Sequence, residues 1–232
     1  MLIALALLIL TALVFGFAPH LDIAAARLFL TESGGFLGVS PTGEMLRRLG
    51  FGLPFGLLGL AVAGWVMRRA GLKRFALPSG RAALFLALTM ALGPGLLVNV
   101  TLKDHSHRPR PVQTQELGGP WTFRPWYRFD GACKHNCSFV SGEASSAFWT
   151  LAPALLVPPP FQPLAIAASL TFGAGVAVLR MAFGGHYLSD SLFSALLTIL
   201  LVLGFHRLFF GPKPPKPTPE HDPDLREQSA SL

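Results

Sequence analysis

The chain has 232 residues, 51% of them hydrophobic and only 13% charged, with a net charge of +7. A mean hydropathy of +0.50 excludes an ordinary soluble domain and calls for membrane spans. The length allows one membrane domain and no large soluble one, and the positive charge points to anionic lipid and basic cytoplasmic loops rather than to nucleic acid.

Six apolar segments are predicted, which defines an all-α fold, a polytopic membrane bundle of about six transmembrane helices. The first runs from Leu2 to Ala18. It has no basic leader and no small-residue cleavage site, so it reads as an uncleaved span. His20 to Arg48 is mixed, with Gly34, Gly35 and Pro41, and reads as a loop with room for an interfacial helix. The second span covers Leu49 to Met67. Arg68, Arg69, Lys73, Arg74 and Arg81 then form a short basic loop, the strongest topology signal in the chain, which belongs in the cytoplasm. The third span covers Ala82 to Leu102. Lys103 to Cys137 is a long polar loop with Trp121, Trp126 and Tyr127, residues that favour a membrane interface. The fourth span is Phe139 to Val157. Pro158, Pro159, Pro160 and Pro163 separate it from the fifth, Leu164 to Phe183, and the sixth is Tyr187 to Phe210. Residues 1–210 thus form one membrane domain. Residues 211–232, rich in Pro and charge, read as a disordered cytoplasmic tail.

With the basic loop inside, both termini are cytoplasmic. The loops at 20–48 and 103–138 and the 184–187 turn then share the far face, the periplasmic one in a bacterial inner membrane. Cys133 and Cys137, the only cysteines, fall there. A disulfide is expected in such a compartment. Free thiols and a metal are the alternatives, although Cys133, His135 and Cys137 supply only three ligands.

Three polar stretches flank the spans. Lys103, Arg108 and Arg110 leave the third span in a stretch where Pro109 and Pro111 forbid a regular helix. Arg offers a planar fork of donors suited to phosphate, and Lys a point charge. Ser141 and Gly142 open the fourth span, where backbone N–H groups of a helix start can hold an anion. Glu143 follows, either a first-turn carboxylate favoured by the helix dipole or a general acid in apolar surroundings. Arg180, His186 and Asp190 border the last two spans. His186 and Asp190 are four apart and share a helix face, so the carboxylate can orient the imidazole. Gly184 and Gly185 permit a break that returns Arg180 toward them.

In order and separation these stretches resemble the motifs of the type 2 phosphatidic acid phosphatase family, membrane lipid phosphatases related in fold to vanadium haloperoxidases. Lys103, six residues, then Arg110-Pro111 is similar to the first motif. Ser141-Gly142 occupies the second, usually Pro-Ser-Gly-His, and Arg180, five residues, His186, three residues, Asp190 is similar to the third. The resemblance covers about residues 50–210. It implies that Lys103, Arg110, Arg180, Ser141 and Gly142 hold the substrate phosphate. His186 would attack phosphorus to give a phospho-histidine, Asp190 would orient it, and no metal or other cofactor would be needed. Val140, Leu179 and Glu143 depart from the family's Pro, Ser and His. The last departure bears on chemistry, because Glu143 would have to carry a proton to serve as the acid. His105, His107 or His135 could donate instead, and a diphosphate leaving group would need the proton less.

The implied activity is hydrolysis of a phosphomonoester or diphosphate on a lipid head group, of the lipid A, polyprenyl diphosphate or phosphatidylglycerol phosphate type. The alternatives are a lipid phosphotransferase using the same phospho-histidine and a non-catalytic protein that binds anionic lipid. The expected partners are the phosphorylated lipid and the membrane; oligomeric state has no signature in the sequence.

Overall fold

A computed structural model describes residues 1–72 and 77–212. Lys73, Arg74 and the predicted tail from Lys213 onward lie outside the described residues. The described chain is helical: α1 (Leu2–Phe17), α2 (His20–Arg27), α3 (Pro41–Arg69), α4 (Gly80–Met90), a π-helical continuation of α4 (Ala91–Leu102), the single turn α5 (Lys103–His105), α6 (Gly142–Phe148), α7 (Leu151–Ala154), α8 (Gln162–Ala182) and α9 (Leu188–Phe210). Among the described residues, four helices are long and apolar enough to cross a membrane: α3, α4 with its π continuation, α8 and α9. α1 and α2, bent by 94° at Pro19, make a fifth if taken as one span. The chain is a multi-pass membrane protein.

Three expectations need adjustment. The 20–48 stretch is more helical than expected. Ser40 caps α3 by accepting from Gly43 N at 3.0 Å, and Pro41 sits at the first helical position, so α3 begins eight residues before the expected Leu49. The expected fourth span is not one continuous helix but is built from two short ones, α6 and α7, joined through Trp149 and Thr150. Its polar side chains are satisfied internally: Ser145 pairs with Thr198 at 2.7 Å and Thr150 with Ser169 at 2.8 Å. This segment is a buried post against which α3, the π segment, α8 and α9 all pack. Third, the half-buried Trp126 ring, expected only as an interfacial aromatic, also packs on Phe139 and Phe193.

The core lies around Phe85, Leu86, Met90, Trp149 and Val202, with Trp149 Nε1 donating to buried Thr89 at 2.9 Å. Pro94 lacks an N–H, and the helix widens around it into the π segment. Asn99 Nδ2 donates to Pro94 O at 2.7 Å, and Thr101 Oγ1 to Leu96 O at 2.9 Å, each closing a five-residue turn. The widened turn presses Asn99 against Gly142: a Cβ there would lie 2.6 Å from Asn99 Oδ1.

Chain direction alternates so that one end of the bundle gathers the start of α3, the end of the π segment, the start of α6, the end of α8 and the start of α9. The 103–141 loop folds over this end. Arg68, Arg69 and Arg81 occupy the opposite end, where Arg68 donates to Leu77 O at 2.9 Å and Arg81 stacks 5.2 Å over Phe210.

Candidate active site

His186 sits in the turn between α8 and α9 and is 2% exposed. Gly184 shapes the turn, with φ +62°, and Gly185 admits the Arg180 guanidinium, which lies 2.6 Å from where a Cβ would be. Arg180 thus folds back over the turn, and a side chain at Gly185 would have to push the end of its guanidinium aside.

His186 Nδ1 lies 2.6 Å from Ser138 O. A carbonyl can only accept, so Nδ1 carries the proton and Nε2 keeps its lone pair. The direct hydrogen bond expected from Asp190 is therefore made by Ser138, and Asp190 Oδ2 stands 3.9 Å from Nδ1. Asp190 acts one step back. It accepts from the Ser138 hydroxyl and from Tyr187 N at 2.9 Å, fixing residues on both sides of the imidazole.

Asp190 is anchored in a network that the sequence did not suggest. Arg108, 1% exposed, pairs with both Asp190 and Asp22, the latter at 2.7 Å. It also donates to Ser189 Oγ at 2.9 Å and to Arg124 O at 2.8 Å, and lies 4.3 Å over the Tyr187 ring. Asp22 in turn accepts from Ser189 N at 2.9 Å and from Ser189 Oγ at 2.7 Å. Arg108 thus faces carboxylates inside the protein, although in sequence it stands in the same basic stretch as Lys103 and Arg110.

Lys103, Arg110 and Arg180 come together around His186. Burial first, then these three cations in the order Arg110, Arg180, Lys103, hold its imidazole well below the ordinary 6.5. Protonation occurs only as pH falls through that lowered value, so the neutral, nucleophilic ring persists above it. We expect kcat/KM for a phosphorylated lipid to lose nothing to His186 protonation between about pH 8 and about pH 6.5. An acid limb centred at or above the ordinary value, abolished with His186, would contradict this environment.

Ser141 caps α6, accepting from Ala144 N at 3.3 Å, and both Ser141 and Gly142 are buried. Glu143 is not in apolar surroundings. It pairs with Arg47 at 3.0 Å and with Arg180 at 3.5 Å, and its side chain is 16% exposed. Arg47 of α3 also bonds Glu44 at 3.2 Å. Nothing in the sequence marks Arg47 as part of a site; here it is a further guanidinium beside Glu143. Phe183 lies between the two, 6.0 Å from Arg47 and 5.6 Å from Arg180.

Arg110 bonds Asn136 through both the backbone carbonyl, at 2.9 Å, and the side-chain oxygen, at 2.8 Å. Cys133 and Cys137 form a disulfide on either side of it. Among the described residues, no three His, Cys, Asp or Glu side chains converge as a metal site. A cleft of about 410 Å³ runs from Glu143 and Lys103 between α3 and the π segment, past Phe51, Phe55, Met90 and Pro94. The site therefore combines a buried neutral imidazole, several cations and an adjoining apolar groove.

Residues 82–213 match the model of the PAP2 superfamily. Over 198 residues the chain is 31% identical to a lipid A 4'-phosphatase of Francisella tularensis subsp. novicida, covering 85% of this chain and 86% of that one. A lipid A 4'-phosphatase of Rhizobium etli is 34% identical over 76% of this chain and 74% of its own. One from Rhizobium leguminosarum is 48% identical over 44% of each. No solved structure gives a significant match. The chain belongs to the PAP2 superfamily, and it is a membrane lipid phosphatase.

Proposed function

We propose that this protein removes the 4'-phosphate of lipid A at the periplasmic face of a bacterial inner membrane, by way of a phospho-histidine. The observation that carries the substrate is the similarity to lipid A 4'-phosphatases along most of both chains. The orientation is supported by the separation of Arg68, Arg69 and Arg81 from the site, at opposite ends of the bundle. Both termini then lie in the cytoplasm, and residues 1–210 act as one domain.

Lys103, Arg110, Arg180 and Arg47 neutralise the phosphate oxygens, aided by Ser141 and the Gly142 backbone. His186 Nε2 attacks phosphorus as the bond to the sugar oxygen breaks. The Nδ1 proton stays on the imidazole, held by the Ser138 carbonyl and balanced by the Asp190 charge 3.9 Å away. Water then attacks the phosphoryl group, releasing phosphate and neutral His186. The acyl chains lie in the membrane, along the cleft that starts at Glu143.

Glu143 is the proposed acid for the departing sugar oxygen. In the empty site it is counter-ion to Arg47 and Arg180, and a bound phosphate competes with it for those cations. The test is phosphate release from lipid A, polyprenyl diphosphate and phosphatidylglycerol phosphate, with the position of loss on lipid A read by mass spectrometry. Wild type should prefer lipid A and leave its 1-phosphate in place. Glu143→Gln should lose about a hundredfold on lipid A and much less on the diphosphate. Equal losses on both would remove the acid role, and preference for another lipid would remove the substrate assignment.

A further inference from the structure

The 133–137 segment is a small ring closed by the disulfide, and its position relates to the site on both sides. Cys133 N donates to His107 O at 3.3 Å, and His107 Nδ1 meets Cys133 O at 2.9 Å, tying one end to the stretch that carries Arg110. At the other end Cys137 precedes Ser138, whose carbonyl accepts the His186 hydrogen bond and whose N–H donates to Arg108 O at 2.9 Å. Both sulfurs are buried, while the residues between them are exposed. Asn136 stands at φ +53°, a conformation Asn tolerates better than most residues. In it, the Asn136 carbonyl and side-chain oxygen both face the Arg110 guanidinium and occupy two of its nitrogens, Nε and Nη2.

An Arg side chain at a half-open site has several rotamers available, and fixing one before substrate arrives avoids that ordering loss on binding. A five-residue loop without a crosslink would share the same freedom. We propose that Asn136 is a positioning residue for Arg110, and that the Cys133–Cys137 crosslink, by holding Asn136, makes full activity depend on oxidation of this loop. The inference rests on the reading of Arg110 as a phosphate contact.

The experiment uses full-length protein in detergent, before and after a water-soluble phosphine. The phosphine breaks the S–S bond; the two sulfurs gain two electrons and two protons as thiols, and the phosphine takes an oxygen from water to become its oxide. Thiol labelling after unfolding verifies the reduction. The readouts are kcat/KM on the phosphorylated lipid and the inhibition constant of inorganic phosphate, which reports on the cation cradle rather than on the lipid groove. Reduction, Cys133→Ser with Cys137→Ser, and Asn136→Gly should each lower kcat/KM and weaken phosphate inhibition, by roughly tenfold for the loss of charge-assisted bonds to Arg110. Asn136→Asp, which keeps the acceptor, should retain activity. In an Arg110→Ala background, reduction should change kcat/KM by less than about twofold, because coupled residues do not add.

Equal losses on reduction with and without Arg110 would overturn the proposal, as would unchanged phosphate inhibition in reduced wild type and Asn136→Gly. If Arg110→Ala itself keeps full activity, the reading of Arg110 fails and the inference falls with it, a result distinct from the other two.

Discussion

His186→Ala should leave a folded membrane protein that releases essentially no phosphate from lipid A. The side chain is buried at the floor of the site, yet it fills a turn rather than a helix contact, so its truncation removes the nucleophile without removing a span. Its single strong bond is to the Ser138 carbonyl, which faces the wet site once the ring is gone. Losing the attacking group of a covalent mechanism should cost at least about a thousandfold in kcat, with whatever remains coming from the cations alone. Phosphate binding should survive, since Lys103, Arg110, Arg180 and Arg47 are untouched. Inhibitor binding by equilibrium methods and thermal unfolding in detergent, run beside turnover, check all three parts.

The largest stability effect is expected at Arg108. Asp22 and Asp190 are 1% and 0% exposed, and Arg108 is the cation between them. Arg108→Ala would leave two buried carboxylates facing each other without a counter-ion, which costs about 3–5 kcal/mol when a buried pair is broken. The unfolding midpoint in detergent should fall by roughly 10 °C for a chain of this size. Activity should drop too, because Asp190 holds Ser138 and Tyr187 on either side of His186. Asp22→Asn, which keeps an acceptor oxygen for Ser189 and removes one of the two negative charges, should be far milder. A midpoint unchanged in Arg108→Ala would show that the network carries little of the site's rigidity.

These two predictions fall on residues of unequal visibility. His186, Arg180, Asp190, Lys103, Arg110 and Glu143 can be found in the sequence because ionisable side chains bordering apolar runs need a reason to be there. Asp22 and Arg47 could not be found in the same way. Asp22 looks like an acid in the first turn of a short helix, and Arg47 like a basic flank; only the approach of α2 and α3 to α9 and α6 gives them partners. Ser138 escaped because its contribution to His186 is a backbone carbonyl, which no side-chain pattern encodes. The expected apolar setting of Glu143 failed for the same reason: its neighbours in sequence are apolar and small, and its neighbours in space are two guanidiniums.

The fold divides similarly. Long apolar runs read correctly as spanning helices to within two residues at α4 with its π continuation, α8 and α9. Hydropathy also marked 139–157 as a span but not its break into two short helices, because it measures how apolar a segment is and not whether lipid or protein covers it. Its Ser145, Thr150 and Pro153 belong to a segment buried among other helices, where side-chain partners replace an unbroken ladder. The widening at Pro94 was hidden as well. A proline inside an apolar run announces a disturbance, but not that Asn99 would be swung against Gly142.

The most direct test of the central claim is a rapid quench of wild-type protein mixed with lipid A radiolabelled at the 4'-phosphate. The account predicts a transient label on the protein, labile in acid and stable in base, located on the peptide bearing His186 and absent from His186→Ala. Phosphate released by His186→Ala at the wild-type rate, with no label passing through the protein, would contradict it.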